Sequence, residues 1–317
     1  MDVSIIIVNY NTKKLLEDCL ASIYEQTKDI DFEVIVSDNA SVDGSIEMLK
    51  ADFPQVILIE NNANLGFGAA NNRGLAIAKG KYIFYLNSDT ILLNNAVKIF
   101  FDYWEKNGEK DNIGALGCNL IDTNGIVMRS DGPFPNCDEE ISSLIHNIYG
   151  FFKLFILHTF FKRPLPNDAK SPSFFHLGEV DHVAGADLFL KNDENAWYDE
   201  DFFMYREEVY LEFLLAQQGK KRLLIDGPRI VHLEGQSAIR LQNIDIIRHY
   251  ASFSSLHVKL SNIIYFRKTY VKTYKVFFLK ILTFIFWLNP YIFPSSKVYF
   301  KKLIKTPCTE KHIGGKL

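Results

Sequence analysis

Four times in the first ninety residues, an apolar run of strand length ends on a cluster of short polar side chains. Val3–Asn9 (VSIIIVN) closes on Asn9-Tyr10-Asn11, and residues 32–36 close on Ser37-Asp38-Asn39. Residues 56–59 lead to Asn61-Asn62-Ala63-Asn64, and Tyr82–Leu86 (YIFYL) stops on Asn87-Ser88-Asp89. Runs that are apolar at successive positions, rather than alternating, predict strands buried on both faces, the habit of parallel sheets. Helical patterns lie between them. Leu15, Leu16, Cys19, Leu20 and Ile23 share one face, with Thr12 placed as an N-cap. A short helix through Met48 and Leu49 follows a cap at Ser41 or Asp43, and the loop through Gly66 and Gly68 opens a helix to about Lys79. Another is expected at 96–104. Strand and helix alternating at this spacing predict an α/β fold: a Rossmann-like, doubly wound, mostly parallel sheet with helices on both faces. Strand ends in such a sheet share one edge. Asn9, Asn11, Asp38, Asn61, Asn64 and Asp89 therefore converge on a ligand crevice.

After residues 113–119 the pattern changes. Asp122-Thr123-Asn124-Gly125 reads as a hairpin turn, and residues 141–161 are unusually aromatic. Ala184-Gly185-Ala186 would let backbone approach a ligand closely. Acids precede and open a helix within 199–215, and two further strands, at 222–226 and 229–232, end at His232. The formal charge of −3 argues against a nucleic-acid partner. Four dispersed cysteines with no CxxC pair indicate neither a zinc site nor a disulfide framework and fit a reducing cytosol. The N-terminus enters a strand at once and lacks the basic and apolar regions of a signal peptide. No GxGxxG follows the first strand and no GxxxxGK[ST] occurs, which argues against a dinucleotide site and a P-loop.

The strand-end groups suggest specific chemistry. Asp89 and the distant His232 form a plausible pair of ligands for Mg2+ or Mn2+, leaving positions for phosphate oxygens and water. Such an ion neutralises a departing diphosphate. Asp38 suits a ribose hydroxyl or a uracil-type edge, and Ser88, beside Asp89, joins the donor-binding set. Glu207 and Glu208 are the general-base candidates, because a carboxylate accepts the proton of a sugar hydroxyl as its oxygen attacks an anomeric carbon. Each of these residues also has an ordinary structural reading: an Asx turn, a satisfied histidine, or acids complementing a helix dipole.

Seven segments, SIIIVNYN, VSDNASVDGS, NNANLGFGAANNRG, YIFYLNSDT, VAGADLFLKND, DEDFFMYREEVYLEF and VHLEGQS, occur in one order over residues 3–237. Together they resemble glycosyltransferase family 2, and within it the rhamnosyltransferase-like enzymes of bacterial polysaccharide assembly. The resemblance implies a GT-A catalytic domain over 1–240, with a nucleotide-binding half (1–112) and an acceptor and catalytic half (113–240). It implies that Asn9, Asn11, Asp38 and Asn64 hold the nucleotide, with Asn72 and Arg73 near it. Asp89 would close a DXD-like metal motif, with His232 as second ligand. Transfer would invert the anomeric carbon in a single displacement, from dTDP-rhamnose or a UDP-sugar to a lipid-linked oligosaccharide. Two departures stand out. Glu208 occupies the place of the usual base aspartate and Tyr210 that of a second acid, and Asn87 stands where the metal motif usually has an acid. Glu208 and Tyr210 leave open a catalytically impaired domain that serves as a binding or assembly subunit. A sugar-1-phosphate nucleotidyltransferase is disfavoured, because Asn9-Tyr10-Asn11-Thr12 is not its glycine-rich basic loop.

Residues 241–317 form a separate basic region. Between Lys259 and Lys305 no acid occurs, while Lys and Arg recur among aromatic and aliphatic residues. The most apolar run, 281–288, makes a helix of roughly 12 Å, too short for a hydrocarbon core of ~30 Å. The expectation is a C-terminal helical segment lying on an anionic membrane surface, with the enzyme peripheral on the cytoplasmic face of the plasma membrane.

Overall fold

Three of the four apolar runs become largely buried parallel strands, while the run at 56–59, expected to be buried on both faces, is only half-buried because it lies at the edge of the sheet. A computed structural model describes residues 1–161, 175–233, 252–269, 271–288 and 293–309. In it β1 (Val3–Asn9), β2 (Phe32–Asp38), β3 (Ile57–Glu60) and β4 (Tyr82–Leu86) lie in the order β3-β2-β1-β4, each pairing parallel. The connecting helices are α1 (Lys13–Gln26), α2 (Ser45–Asp52) and α3 (Phe67–Leu75), and a three-residue strand β5 (Thr90–Leu92) leads to α4 (Ala96–Asn107). Successive side chains leave opposite faces of a strand. Val3, Ile5, Ile7, Phe84 and Leu86 accordingly pack with Leu16, Leu20 and Phe100, while Ile6, Ile83 and Tyr85 pack with Leu75.

The sheet then departs from simple winding. After β6 (Ile113–Cys118), β7 (Asp131–Gly132) and α5 (Cys137–Phe161), the chain forms β8 (Gly178–Val180), β9 (His182–Val183) and β10 (Asp187–Lys191). β10 inserts antiparallel between β4 and β6. Following α6 (Glu207–Gln217), β11 (Lys221–Ile225) adds parallel to β6, and β8 closes that edge antiparallel. The central sheet is thus mixed and mostly parallel, in the order β3-β2-β1-β4-β10-β6-β11-β8. β12 (Ile230–His232) leaves it to pair antiparallel with β5, and β7 pairs with β9.

Local details differ from the sequence expectations. The Thr12 side chain does not cap α1; it bonds to the strand ends described below. Gly44, at φ +85°, precedes α2, while Asp43 accepts from the Ser45 amide at 3.1 Å. α3 ends at Leu75, short of Lys79. Residues 234–237, the end of the last motif, lie outside the described residues.

The chain divides into two compact units. One comprises Met1–Phe134, Pro172–Phe203 and Glu207–Arg240, the other Pro135–Ser171, Met204–Arg206 and Leu241–Leu317. The second unit is helical: α5 is joined by α7 (Phe253–Lys268), α8 (Thr273–Trp287) and α9 (Phe300–Lys305), with a helical turn at Phe293–Ser296. Ser252 caps α7 by accepting from the Ser255 amide. Acids in the first turn of α5 meet cations of the C-terminal helices, Asp138 with Lys275 and Glu140 with Lys259. Met204–Arg206 belongs to this unit through three bonds. Ser261 Oγ donates to the Met204 carbonyl, Tyr205 Oη to Ser254 Oγ, and Arg206 Nε to Asn262 Oδ1.

Candidate functional site

The carboxyl ends of β1, β2 and β4 are lined with buried polar groups bonded to one another. Asn9 and Asp38 are fully buried. Asn9 Nδ2 donates to Asp38 Oδ2 at 2.7 Å and to Ser41 Oγ at 2.9 Å, while its Oδ1 accepts from Thr12 Oγ1 at 2.6 Å. The Thr12 hydroxyl also meets Ser88 Oγ at 3.0 Å, and Asp38 Oδ1 accepts from the Ser41 amide. A polar group taken out of water costs stability unless it is bonded, so this network fixes three strand ends against each other. Asn11, at φ +55°, joins it by donating its amide to Ser41 Oγ, and its side chain accepts from the Val42 amide.

Asn64 and Asn72 act one layer out. Asn64 Oδ1 accepts from the Gly66 amide and, at 3.4 Å, from Asn39 Nδ2. Gly66 sits at φ +89° against the Phe203 carbonyl, where a Cβ would collide, so no other residue fits there. The buried Asn72 brackets the backbone of Tyr198, accepting from its amide and donating to its carbonyl, both at 2.9 Å, and reaches Glu200 at 3.1 Å. It therefore ties the 198–200 segment to α3. Arg73 is exposed on the same helix. Sequence reasoning passed over Tyr10, which is half-exposed between Asn9 and Asn11 just after β1. An aromatic between two asparagines at a strand end was the available signal.

Asp89 and His232 are adjacent. His232 Nε2 lies 3.3 Å from Asp89 Oδ1, both side chains largely buried. The backbone causes this: β12 pairs with β5 so that His232 faces Thr90, and the Leu233 amide donates to the Asp89 carbonyl at 2.8 Å. Cis donors around an octahedral Mg2+ or Mn2+, with bonds near 2.1 Å, stand about 3.0 Å apart, so an oxygen and a nitrogen at this separation fit one such ion. Among the described residues no third His, Cys, Asp or Glu completes a cluster.

The two glutamates that open α6 face different surroundings. Glu207 is buried, with its Cβ side against Gly68 of α3. Glu208 is half-buried and packs over Gly185, where an added Cβ would lie 3.3 Å from its Cγ. Gly185 precedes Ala186, whose carbonyl accepts from the Asn87 amide at 3.0 Å. Glu208 thus stands beside the loop bonded to the turn that carries Asp89. Immediately before α6, Tyr205 and Arg206 both adopt left-handed backbone, at φ +67° and +72°, rare for residues with side chains. Tyr210, at the place of a second acid, packs its ring on Phe202 and Phe213.

Asp187, which opens β10, is a further acid that sequence reasoning missed. It is fully buried, and its Oδ2 accepts from the Cys118 amide at 2.8 Å. Burial pushes its carboxyl up to about 7, opposed by that bond and by His232. The signal was an acid set directly before an apolar strand run.

The Glycosyl transferase family 2 model matches residues 4–160. The chain is 34% identical over 176 residues to the Escherichia coli UDP-Glc:alpha-D-GlcNAc-diphosphoundecaprenol beta-1,3-glucosyltransferase WfaP, covering 46% of this chain and 69% of that protein. The chain belongs to glycosyltransferase family 2. This family 2 chain is also 34% identical over 121 residues to the poly(ribitol-phosphate) beta-glucosyltransferase of Bacillus spizizenii, covering 37% of itself and 19% of the relative. It spans less than half the length of several curated relatives that it matches. Among solved structures, the mannosyltransferase PcManGT from Pyrobaculum calidifontis, in complex with GDP-Man and Mn2+, aligns over 99% of this chain and 76% of its own, with 17% identity and a TM-score of 0.50. At that identity the likeness shows the fold, GT-A.

Proposed function

We propose that this family 2 chain is an inverting glycosyltransferase that moves a sugar from a nucleotide-sugar donor to a saccharide acceptor on a lipid carrier in cell-surface polysaccharide synthesis. The observation that carries the reading is the 3.3 Å approach of His232 to Asp89 beside the buried Asn9–Asp38 pair. The E. coli relative, whose name specifies UDP-Glc and a diphosphoundecaprenol acceptor, supports the substrate classes, and a GT-A neighbour holding Mn2+ supports the cation.

Asp38 and Asn9 take the nucleoside of the donor, and the Tyr10 ring offers a stacking surface for its base. Asp89 and His232 hold Mg2+ or Mn2+, which when bound offsets the charge of the departing diphosphate. Glu208 accepts the proton of the acceptor hydroxyl as that oxygen bonds to the anomeric carbon. The carbon–phosphate oxygen bond breaks on the opposite side, which inverts the centre. Glu207 maintains the start of α6 rather than exchanging protons. The dTDP-rhamnose form is the donor drawn from the family resemblance, with UDP-hexoses as the competing class. Residues 241–317 hold the enzyme at an anionic membrane surface.

Donor hydrolysis with Mn2+ across a nucleotide-sugar panel tests the reading. Turnover in the unaltered chain that falls by about 1,000-fold in Asp89→Ala and Glu208→Gln supports it. Equal background in all three supports a binding or assembly subunit, the reading that the aromatic packing of Tyr210 favours.

A further inference from the structure

Apart from Lys275 and Lys280, α8 is almost wholly apolar, and a helix with apolar residues on most sides is normally covered in a globular unit. Here it is covered on one. Val276, Leu279, Leu282, Phe286 and Trp287 are buried within the helical unit. The opposite face, from Tyr274 to Leu288, carries Phe277, Phe278, Ile281, Phe284 and Ile285, each more than a third exposed. Their spacing of three and four residues makes one continuous stripe about 21 Å long. An exposed apolar surface of this continuity marks an interaction site.

The neighbouring elements identify the partner. Phe284 meets Phe300, the first residue of α9, edge to face at 5.1 Å, and Lys280 Nζ donates to the Ile304 and Thr306 carbonyls. α9 and the preceding turn expose Lys297, Lys301 and Lys305 together with Val298 and Ile304. The stripe is therefore rimmed by lysines in a segment that contains no acid from Lys259 to Lys305. A second copy docked through the same face would bring like charges together across a two-fold axis, whereas an anionic surface complements them. No helix among the described residues is long and apolar enough to cross a membrane.

We infer that the outer face of α8 lies in the plane of an anionic bilayer interface, its aromatic stripe among the acyl chains and the lysines of α9 at the headgroups. The inference rests on the proposed membrane-side reading and assigns it to named residues. Co-sedimentation of the full chain with phosphatidylcholine vesicles, with or without about one third phosphatidylglycerol, tests it. The expected result is binding to the anionic vesicles that weakens with salt. It should fall about 100-fold in the double variant Phe277→Glu/Ile281→Glu and about 10-fold in Lys301→Glu/Lys305→Glu. All four positions are exposed, so an unchanged melting temperature is expected to certify that the variants fold. Three results would overturn the inference: no binding by the unaltered chain, equal binding by the Phe277→Glu/Ile281→Glu variant, or a dimer in light scattering that this variant dissolves while vesicles are ignored. Donor hydrolysis measured without vesicles tests the transfer chemistry separately, so the two readings fail independently.

Discussion

The carboxyl edge of β1, β2 and β4 buries polar groups, whereas the outer face of α8 exposes apolar ones. Each reverses the usual partition of side chains, and such reversals are more informative than surface polarity or core hydrophobicity. At the strand edge, Asn9, Thr12, Asp38, Ser41 and Ser88 satisfy one another, so the edge is rigid before any ligand arrives. Preorganised dipoles of this kind need little rearrangement when charge develops on a substrate. The α8 face has the opposite character. Apart from Phe284, which meets Phe300, its apolar side chains are more than a third exposed, and the inferred partner is a surface rather than a small molecule. On the proposed reading, one region recognises by direction and the other by area.

Experiments that separate the two regions run from large effects to small. Glu208→Gln should lower transfer about 1,000-fold while vesicle binding is untouched, and Glu207→Gln should cost far less, because Glu207 is buried with its Cβ against Gly68 while Glu208 packs over Gly185. Steady-state kinetics beside co-sedimentation reads both, and equal losses in the two glutamine variants would overturn the assignment of the base. Asp38→Ala removes the acceptor of Asn9 Nδ2 and of the Ser41 amide, and should cost about 3 kcal/mol of stability as well as donor affinity. Calorimetry with and without nucleotide separates the two losses. Gly185→Ala should sharpen the geometry. Its methyl group presses on Glu208, so kcat is expected to fall about 10-fold with the melting temperature nearly unchanged.

The smallest effect concerns the helical unit alone. His257 is buried between the rings of Phe253 and Tyr299, and burial lowers its pKa from 6.5 to about 4. The unfolded chain takes up that proton first on acidification. The contribution is therefore present above pH 6.5 and is lost as the pH falls toward 4. His257→Phe should flatten the acid limb of stability by about 1 kcal/mol after screening, without altering donor hydrolysis at neutral pH. Chemical denaturation at a series of pH values checks it, and an unchanged acid limb would remove His257 as its source.

The strands and helices of the first ninety residues were legible because unbroken apolar runs report burial on two faces. The clustering of Asn9, Asp38 and Asp89 followed from the shared edge of a parallel sheet. β10 was less transparent. Antiparallel insertion between β4 and β6 leaves no local mark, since Asp187–Lys191 would be apolar beside a parallel neighbour as well. β5 escaped notice because three residues are too few to show a period. The mutual hydrogen bonding of the polar strand ends was equally hidden: Thr12 reads as a helix cap, and only the approach of Ser88 draws it elsewhere.

The sequence by itself determined the α/β class, the polar edge and the basic, apolar C-terminal region, because periodicity and composition are local properties. Tertiary structure decided three things: that His232 stands beside Asp89, that Glu208 and not Glu207 faces Gly185, and that one face of α8 is left uncovered. The physical reason is common to all three. Each depends on which segments distant in the chain share a boundary, and long-range pairing is set by the packing of the whole sheet or bundle, which no short window of residues encodes.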